Sequence, residues 1–432
     1  MDYAAAVAYL EAHAFHGIRP GLERITGLLE LMGRPDRAYP VIHITGTNGK
    51  TSTARMATSI LTAHGFTTGT HTSPHLEMVQ ERIMINGERL SPPDFAQAIT
   101  DVAGFADLFE AEHGAGLTYF ELMAAAGFAW FANQAVDAAV VEVGLGGRLD
   151  ATNVVESRVA VLTGVELEHT EYLGDTVASI TAEKVAILDR GGVLVTGPLV
   201  PEAESVVAAR VRELATPWHA LDRDFSIEGA SQAVGGWLCD INGVYSSYPE
   251  LELSLHGRHQ LRNLAVAIAS AEALFGKALR HSAVQEGVAA VRSPGRLEVV
   301  ARRPLVLIDG AHTPGAMAEV ARTLDEEFPP GRWVLVIGVS ADKRLPSMLE
   351  ALGNRAGTVV GVAAENPRAV PAEEVAAAAR SVFGAKVSVE NAASVAEGIA
   401  IASRLAGEAG QVLVTGSLYV VGEARAALKP EQ

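Results

Sequence analysis

The chain has 432 residues, with 34 Lys+Arg against 51 Asp+Glu and a formal net charge of −17. A composition of 49% hydrophobic and 20% charged residues can bury two or three cores of ordinary size and excludes disorder as the main state. The acidic balance, with no Lys/Arg block, excludes nucleic acid and argues against an anionic membrane surface as partner, since both are bound by neutralising phosphates.

The longest apolar stretch, residues 123–132, is too short to span a bilayer, and the start Met1-Asp2-Tyr3-Ala4 lacks the basic and apolar regions of a signal peptide. The single cysteine, Cys239, permits no internal disulfide. These features predict a cytoplasmic protein, and we expect it to be a monomer.

Short runs rich in Val, Ile and Thr alternate with longer helical patterns, which predicts an α/β fold on a mostly parallel sheet. Strands are expected at 41–45, near 66–70, and at 138–143, 159–163 and 193–196. Ser91 with Pro92 and Pro93 opens one helix, and Thr118 with Glu121 opens another as a capping box. Residues 217–255 read differently: short alternating segments around Gly235-Gly236 and Asn242-Gly243 predict a small antiparallel insertion. Helices at about 259–274 and 283–291 follow, and then Ser293-Pro294-Gly295-Arg296 breaks the pattern. We place a domain boundary there, giving 1–293 and 294–432. The second part holds another alternating series, with strands near 305–308, 333–337, 358–362 and 412–415.

The most informative string is Gly46-Thr47-Asn48-Gly49-Lys50-Thr51-Ser52, where a buried-looking strand turns into a helix that starts near Lys50. Free backbone N–H groups and the positive helix end converge there, and glycines let the backbone approach a phosphate closely. Lys50 can reach outer phosphate oxygens, and the Thr51 hydroxyl can help to hold magnesium. A plain strand-to-helix turn with a solvated lysine would not need the whole string. Glu142 interrupts an apolar strand at the edge where open α/β sheets bind ligands, and a carboxylate there is costly unless paired or metal-bound. The alternative is an ion pair with Arg148. His169 follows the 159–163 strand, so three strand ends would deliver Lys50, Glu142 and His169 to one edge, with Ser73 joining through its hydroxyl.

Helical spacing over 175–188 sets Lys184 on the face of Ile180 and Ile187, either as a snorkelling lysine or as one desolvated enough to react. In the second half, Asp309-Gly310-Ala311-His312 ends a strand and opens a helix. Arg296 and Asn263 could face the same cleft, and Ser417 and Tyr419 lie in a further strand-to-helix turn.

Taken in order, these strings resemble the folylpolyglutamate synthase/dihydrofolate synthase family of the ATP-dependent Mur-ligase superfamily, from about Ile18 to Gly422. Thr72-Ser73-Pro74-His75-Leu76, Glu81-Arg82-Ile83, Glu183-Lys184, His256-Gly257-Arg258-His259-Gln260 and Ala341-Asp342-Lys343 add to the likeness. The resemblance implies a large N-terminal P-loop ATPase domain and a smaller Rossmann-like C-terminal domain, with the active site between them. It implies ATP and Mg2+ as cofactors, leaves room for a monovalent cation, and implies L-glutamate with dihydropteroate or a reduced folate as substrates. The substrate carboxylate would be activated as an acyl phosphate before glutamate displaces the phosphate.

By the same likeness, Gly46, Thr47, Asn48, Gly49, Lys50, Thr51 and Ser52 hold the triphosphate, and Asn263, Arg296 and Asp309 contact ATP. Thr51, Ser73, Glu142 and His169 ligate magnesium. Lys184 matches a lysine that is carbamylated in the family, and Arg82, His312, Ser417 and Tyr419 match substrate positions. Lys50, Lys184, His169 and His312 would carry the catalysis. Thr51, Glu168, Thr313 and Arg344 depart from the commonest family pattern. A muramyl-peptide ligase is the rival with the same chemistry, suggested by Gly49-Lys50-Thr51. A phosphate-loop protein without catalysis is the rival of another class, and it predicts loss of Glu142, His169 and Lys184, which are all present.

Overall fold

A computed structural model describes residues 1–14, 17, 19–114 and 116–428; Ile18, where the family likeness begins, lies outside them. Among the described residues, eight strands form one sheet in the order Glu88–Arg89, Ile83–Ile85, Thr68–His71, Ala138–Glu142, Val41–Thr45, Ser157–Leu162, Val193–Thr196 and Trp218–Ala220. The first two pair antiparallel and the other six run parallel. Helices cover both faces, which is why Val41–Thr45, with Val41, Ile42 and Ile44, is wholly buried. Alternate residues of the sheet feed two cores. Ile42, Ile44, Val140 and Val161 pack with Ile60 and Leu61 of the helix Lys50–Ala63 and with Leu264 and Ile268 of the helix His259–Phe275. Val41, Ala139 and Val141 face Phe95, Phe128 and Phe131 of the helices Pro92–His113 and Tyr119–Asn133.

Both of these helices begin as their sequences dictate. Ser91 Oγ accepts the Asp94 N–H at 3.3 Å, with prolines in the first turn. Thr118 Oγ1 accepts the Glu121 N–H at 3.2 Å while the Glu121 carboxylate accepts the Thr118 N–H at 2.8 Å. Such caps are each worth about 1 kcal/mol. Among the described residues, no helix is long and apolar enough to cross a membrane.

The antiparallel unit is shorter than the 217–255 expected. Trp218–Ala220 instead extends the large sheet, parallel to Val193–Thr196, because Trp218 packs on an apolar cluster that includes Leu194 and Val207 and donates Nε1–H to Thr196 Oγ1 at 3.0 Å. The three-stranded unit proper comprises Ser226–Ala233, Gly236–Asn242 and Ser247–Leu253. Its inward face, with Trp237, Cys239, Ile241, Tyr248 and Leu251, completes the core behind the Lys50 helix.

A second sheet runs in the order Glu298–Arg302, Leu305–Asp309, Gln411–Thr415, Trp333–Ile337, Ala356–Gly361 and Ser388–Asn391, all parallel except the first pair. Its helices bury separate clusters on its two faces. One of them, Pro314–Glu327, docks on the first part of the chain. The side chain of its last residue, Glu327, is 4% exposed and accepts the Trp237 Nε1–H at 3.1 Å and the Gly257 N–H at 2.8 Å, with His256 Nδ1 at 2.9 Å.

Candidate active site

Sheet order sets the ends of three neighbouring strands, Ala138–Glu142, Val41–Thr45 and Ser157–Leu162, side by side, and their loops leave from the same edge. From the middle strand, residues 46–49 turn into the helix Lys50–Ala63, whose start has no side-chain cap. Its first N–H groups are therefore available to an anion. Gly49 is at φ +85°, and a Cβ on it would lie 2.4 Å from Asn263 Oδ1. Glycine is required here by both backbone and space. Asn263 thus leans on the loop, while its Nδ2 donates to Gln260 Oε1 at 2.9 Å. Lys50 Nζ donates to the Gly46 and Thr47 carbonyls at 2.7 and 3.2 Å, and Thr163 Oγ1 donates to the Asn48 carbonyl at 2.6 Å.

Glu142 is 1% exposed. Its Oε1 accepts the Thr51 hydroxyl at 2.8 Å and its Oε2 accepts the backbone N–H of Ser73 at 3.3 Å. Arg148, the alternative partner, bonds Glu183 at 2.8 Å instead. Burial raises the Glu142 carboxyl above its ordinary value, opposed by Lys50, its two hydrogen bonds and Arg296. Ser73 thus meets Glu142 through its backbone rather than its hydroxyl.

The α-helix expected over 175–188 spans Val177–Lys184 and tightens into a 3₁₀ turn, Val185–Ile187. Lys184 at its end does not snorkel: it is 1% exposed, and Nζ donates to Glu168 Oε1 at 2.7 Å and to the Gly46 carbonyl at 3.1 Å. Burial lowers its ammonium to about 8, against the pull of Glu168. Burial acts to raise Glu168, but Lys50 and Lys184 outweigh it and hold that carboxyl at about 2. The sequence offers His169 after the 159–163 strand, whereas its neighbour Glu168 makes the buried contact. His169 itself is exposed at the head of a short helical turn, in electrostatic range of Glu168, Lys343 and Lys50, and partial desolvation lowers its pKa. Glu166, also passed over, accepts from Asn48 and lies against Gly315 across the cleft.

From the second sheet, the Asp309 carboxylate accepts the Leu297 and Ala311 N–H groups at 2.9 and 2.8 Å, and Arg296 Nη1 lies against Gly310. Burial raises Asp309, opposed first by Arg296. His312 Nδ1 sits 2.8 Å from the Gly310 carbonyl, so that nitrogen carries the proton and Nε2 is left as an acceptor. Burial pushes the ring down to about 4, and Lys343, Arg296 and Lys50 are all in electrostatic range of it. Ser417 Oγ accepts the Tyr419 N–H at 3.2 Å, and Tyr419 Oη accepts from Arg368 at 3.3 Å. Tyr419 also lies in electrostatic range of Tyr119, whose ring carries Arg82 5.3 Å from its centroid. Lys343 and Arg55 are cations at this cleft that the sequence strings did not single out as ligands.

Among the described residues, no three His, Cys, Asp or Glu side chains gather as a metal cage. The donor set of Thr51, Ser73, Glu142 and His169 is of another kind, mostly hard oxygen, and Glu142 is a buried carboxylate whose hydrogen-bond partners are all neutral. That chemistry fits a magnesium ion completed by phosphate and water.

Residues 44–271 match the model of the Mur ligase middle domain, and residues 295–418 that of the Mur ligase glutamate ligase domain. The chain is 38% identical to the dihydrofolate synthase/folylpolyglutamate synthase of Mycobacterium tuberculosis over 94% of its own length and 90% of that protein's. It is 36% identical to the folylpolyglutamate synthase of Lacticaseibacillus casei over 86% and 88%. Among solved structures, the M. tuberculosis folylpolyglutamate synthase complexed with ADP and AMPPCP superposes over 100% of both chains with a TM-score of 0.93 at 38% identity. The E. coli FolC protein in complex with DHPP and ADP does so over 99% and 98% with a TM-score of 0.88 at 29% identity. The chain belongs to the folylpolyglutamate synthase/dihydrofolate synthase family of Mur ligases.

Proposed function

We propose that this chain is an ATP-dependent ligase that adds L-glutamate to the carboxylate of dihydropteroate and of reduced folates, acting as a monomer in the cytoplasm. The observation that carries the reading is the convergence on Glu142: Thr51 and Ser73 bond one buried carboxylate while Lys50 and Arg296 stand in electrostatic range of it, so that three separate segments meet there. A carboxylate does not form an amide in water unaided, so activation demands positioning and charge neutralisation. Residues 1–293 serve the activation and residues 294–432 close over nucleotide and glutamate.

When bound, ATP supplies the phosphoryl group that converts the substrate carboxylate into an acyl phosphate, and Mg2+ offsets the phosphate charge. Gly46 to Ser52 cradle the phosphates, with Lys50 turned from its loop carbonyls toward them. Asn263, Arg296 and Asp309 hold the rest of the nucleotide. Thr51, Ser73, Glu142 and His169 are the candidate magnesium ligands. Arg82, set over the Tyr119 ring, faces the acceptor. Ser417 and Tyr419 lie beside the incoming glutamate, and His312 Nε2 accepts a hydrogen bond from its amine. That amine then displaces phosphate, leaving the amide.

Lys184 is poised for carbamylation, because a lysine lowered to about 8 holds an appreciable neutral fraction near neutral pH and only the neutral amine adds CO2. The carbamate would place an anion where the ammonium now meets Glu168, and a monovalent cation is a natural companion to that pair of anions.

The test is ADP release from MgATP and glutamate with dihydropteroate, tetrahydrofolate or a muramyl peptide as acceptor. Turnover with both folate-type acceptors is expected. Turnover with the muramyl peptide alone would sink the reading.

A further inference from the structure

Residues 72–82 form an excursion between the strands Thr68–His71 and Ile83–Ile85, and carry Ser73 at one end and Arg82 at the other. Glu81 folds this loop on itself: its carboxylate accepts the N–H groups of Leu76, Glu77 and Met78 at 2.8, 3.0 and 2.9 Å. Arg82 Nε donates to His75 Nδ1 at 2.9 Å, so the substrate-facing guanidinium is fixed to the same unit.

The outer side of the loop is fastened to the last helix, Leu418–Leu428, which starts beside Ser417 and carries Tyr419 in its first turn. The Leu76 carbonyl comes so near Gly422 that a Cβ there would lie 2.0 Å from its oxygen. Three residues on, along the same helix face, Arg425 forms an ion pair with Glu77 of the loop. It also bonds both Glu298 oxygens at 3.0 Å, and Glu298 accepts the Gly295 N–H at 2.8 Å. Glu77 and Arg425 are 10% and 24% exposed, so their attraction is screened less than that of a surface pair. On the inner side, Arg55 of the Lys50 helix makes no hydrogen bond or ion pair among the described residues, and lies in electrostatic range of both Glu81 and Arg425. The loop carboxylates are thus held between two cations, one from each part of the chain.

We propose that Arg425 is a positioning residue for the acceptor substrate: through Glu77 it locks the 72–82 loop to the last helix. The lock sets Ser73 and Arg82 at a fixed distance from Ser417 and Tyr419. The proposal rests on the reading above, in which these residues face the metal and the substrates.

The test compares wild type with Arg425→Met, Glu77→Gln and the double variant, by acceptor KM, kcat, equilibrium ADP binding and amide hydrogen exchange over residues 72–82. Each single change is expected to raise the acceptor KM about 10-fold and to speed exchange at Leu76, Glu77 and Met78. ADP binding stays within about 2-fold of wild type, and the double variant is no worse than the worse single one. Arg425→Lys, which keeps the charge, recovers part of the loss. Additive losses overturn the proposal, as do an unchanged acceptor KM and unchanged exchange in Glu77→Gln, the milder variant. A wild type that fails to turn over folate acceptors removes the functional reading and the proposal with it, whereas normal wild-type turnover with unchanged exchange in the variants removes the lock alone.

Discussion

Thr51 donates its hydroxyl to Glu142 across 2.8 Å, tying the first turn of the Lys50 helix to the end of the neighbouring strand. The other Glu142 oxygen takes the Ser73 N–H, so one carboxylate gathers three segments through neutral donors while Lys50 and Arg296 stand by without bonding it. Such a group is held for function at a cost in desolvation. Glu142→Gln is expected to lower kcat by about 100-fold or more and to leave thermal stability equal or higher by about 1 kcal/mol. Steady-state kinetics and a melting curve check both halves; near-normal kcat would remove Glu142 from the metal site.

Lys184→Ala removes a buried cation and strands the partly buried Glu168. Ligation should be abolished, and small carboxylates added to the assay should restore part of it by standing in for a carbamate. Labelled bicarbonate should mark the wild-type protein more heavily as pH rises toward about 8, where the amine loses its proton. Near-normal activity of the variant refutes the carbamate.

For His312 the tautomer is set by the Gly310 carbonyl and the ring stays neutral above about 4. The rate profile between about pH 6 and 9 should therefore contain no step from this ring. His312→Asn should raise the glutamate KM about 10-fold without changing the shape of that profile. A profile that flattens in the variant would assign the titration to His312 and contradict the burial argument.

Acid should weaken the fold well before the carboxylates are protonated. His43 and His71 lie in register on either side of Val141, fully buried, and burial lowers both to about 3. In the unfolded chain an imidazole takes its proton near its usual value of about 6.5. Between these values the unfolded state binds more protons, so stability falls as pH drops from about 6.5 toward 3, by about 1.4 kcal/mol per pH unit for each ring. Urea unfolding at several pH values between about 7 and 5 measures the slope. His71→Leu should remove its share; an identical slope in that variant would show that other groups set it.

Much of the architecture is legible because burial on both faces writes itself into continuous apolar runs. Val41–Thr45, Val193–Thr196 and Trp333–Ile337 coincide with short runs rich in Val, Ile and Leu to within a residue at either end. Edge strands escape that signal: Glu298–Arg302 and Ser388–Asn391 are half-buried and mix charges with apolar residues, so their pairing is decided by neighbours distant in sequence. The site divides in the same way. Gly46 to Ser52 and the buried face of Lys184 follow from local spacing. The bond from Lys184 to Glu168, the Ser73 contact through its N–H and the reach of Arg425 to Glu77 depend on loop paths that no local pattern records.

The three-stranded antiparallel unit has a consequence for anyone seeking a smaller enzyme. It sits far along the chain from the glycine loop, and at first sight it looks like an appendage that could be trimmed. Yet Trp237, Ile241, Tyr248 and Leu251 share one core with Met56, Ile60 and Leu61 of the Lys50 helix, and Trp237 also donates to Glu327. Excising it would bare the back of the helix on which the loop is mounted and remove two of the donors that seat the second sheet's helix, Trp237 and Gln232. Miniaturisation has to start elsewhere, because this unit is a supporting wall shared by both halves.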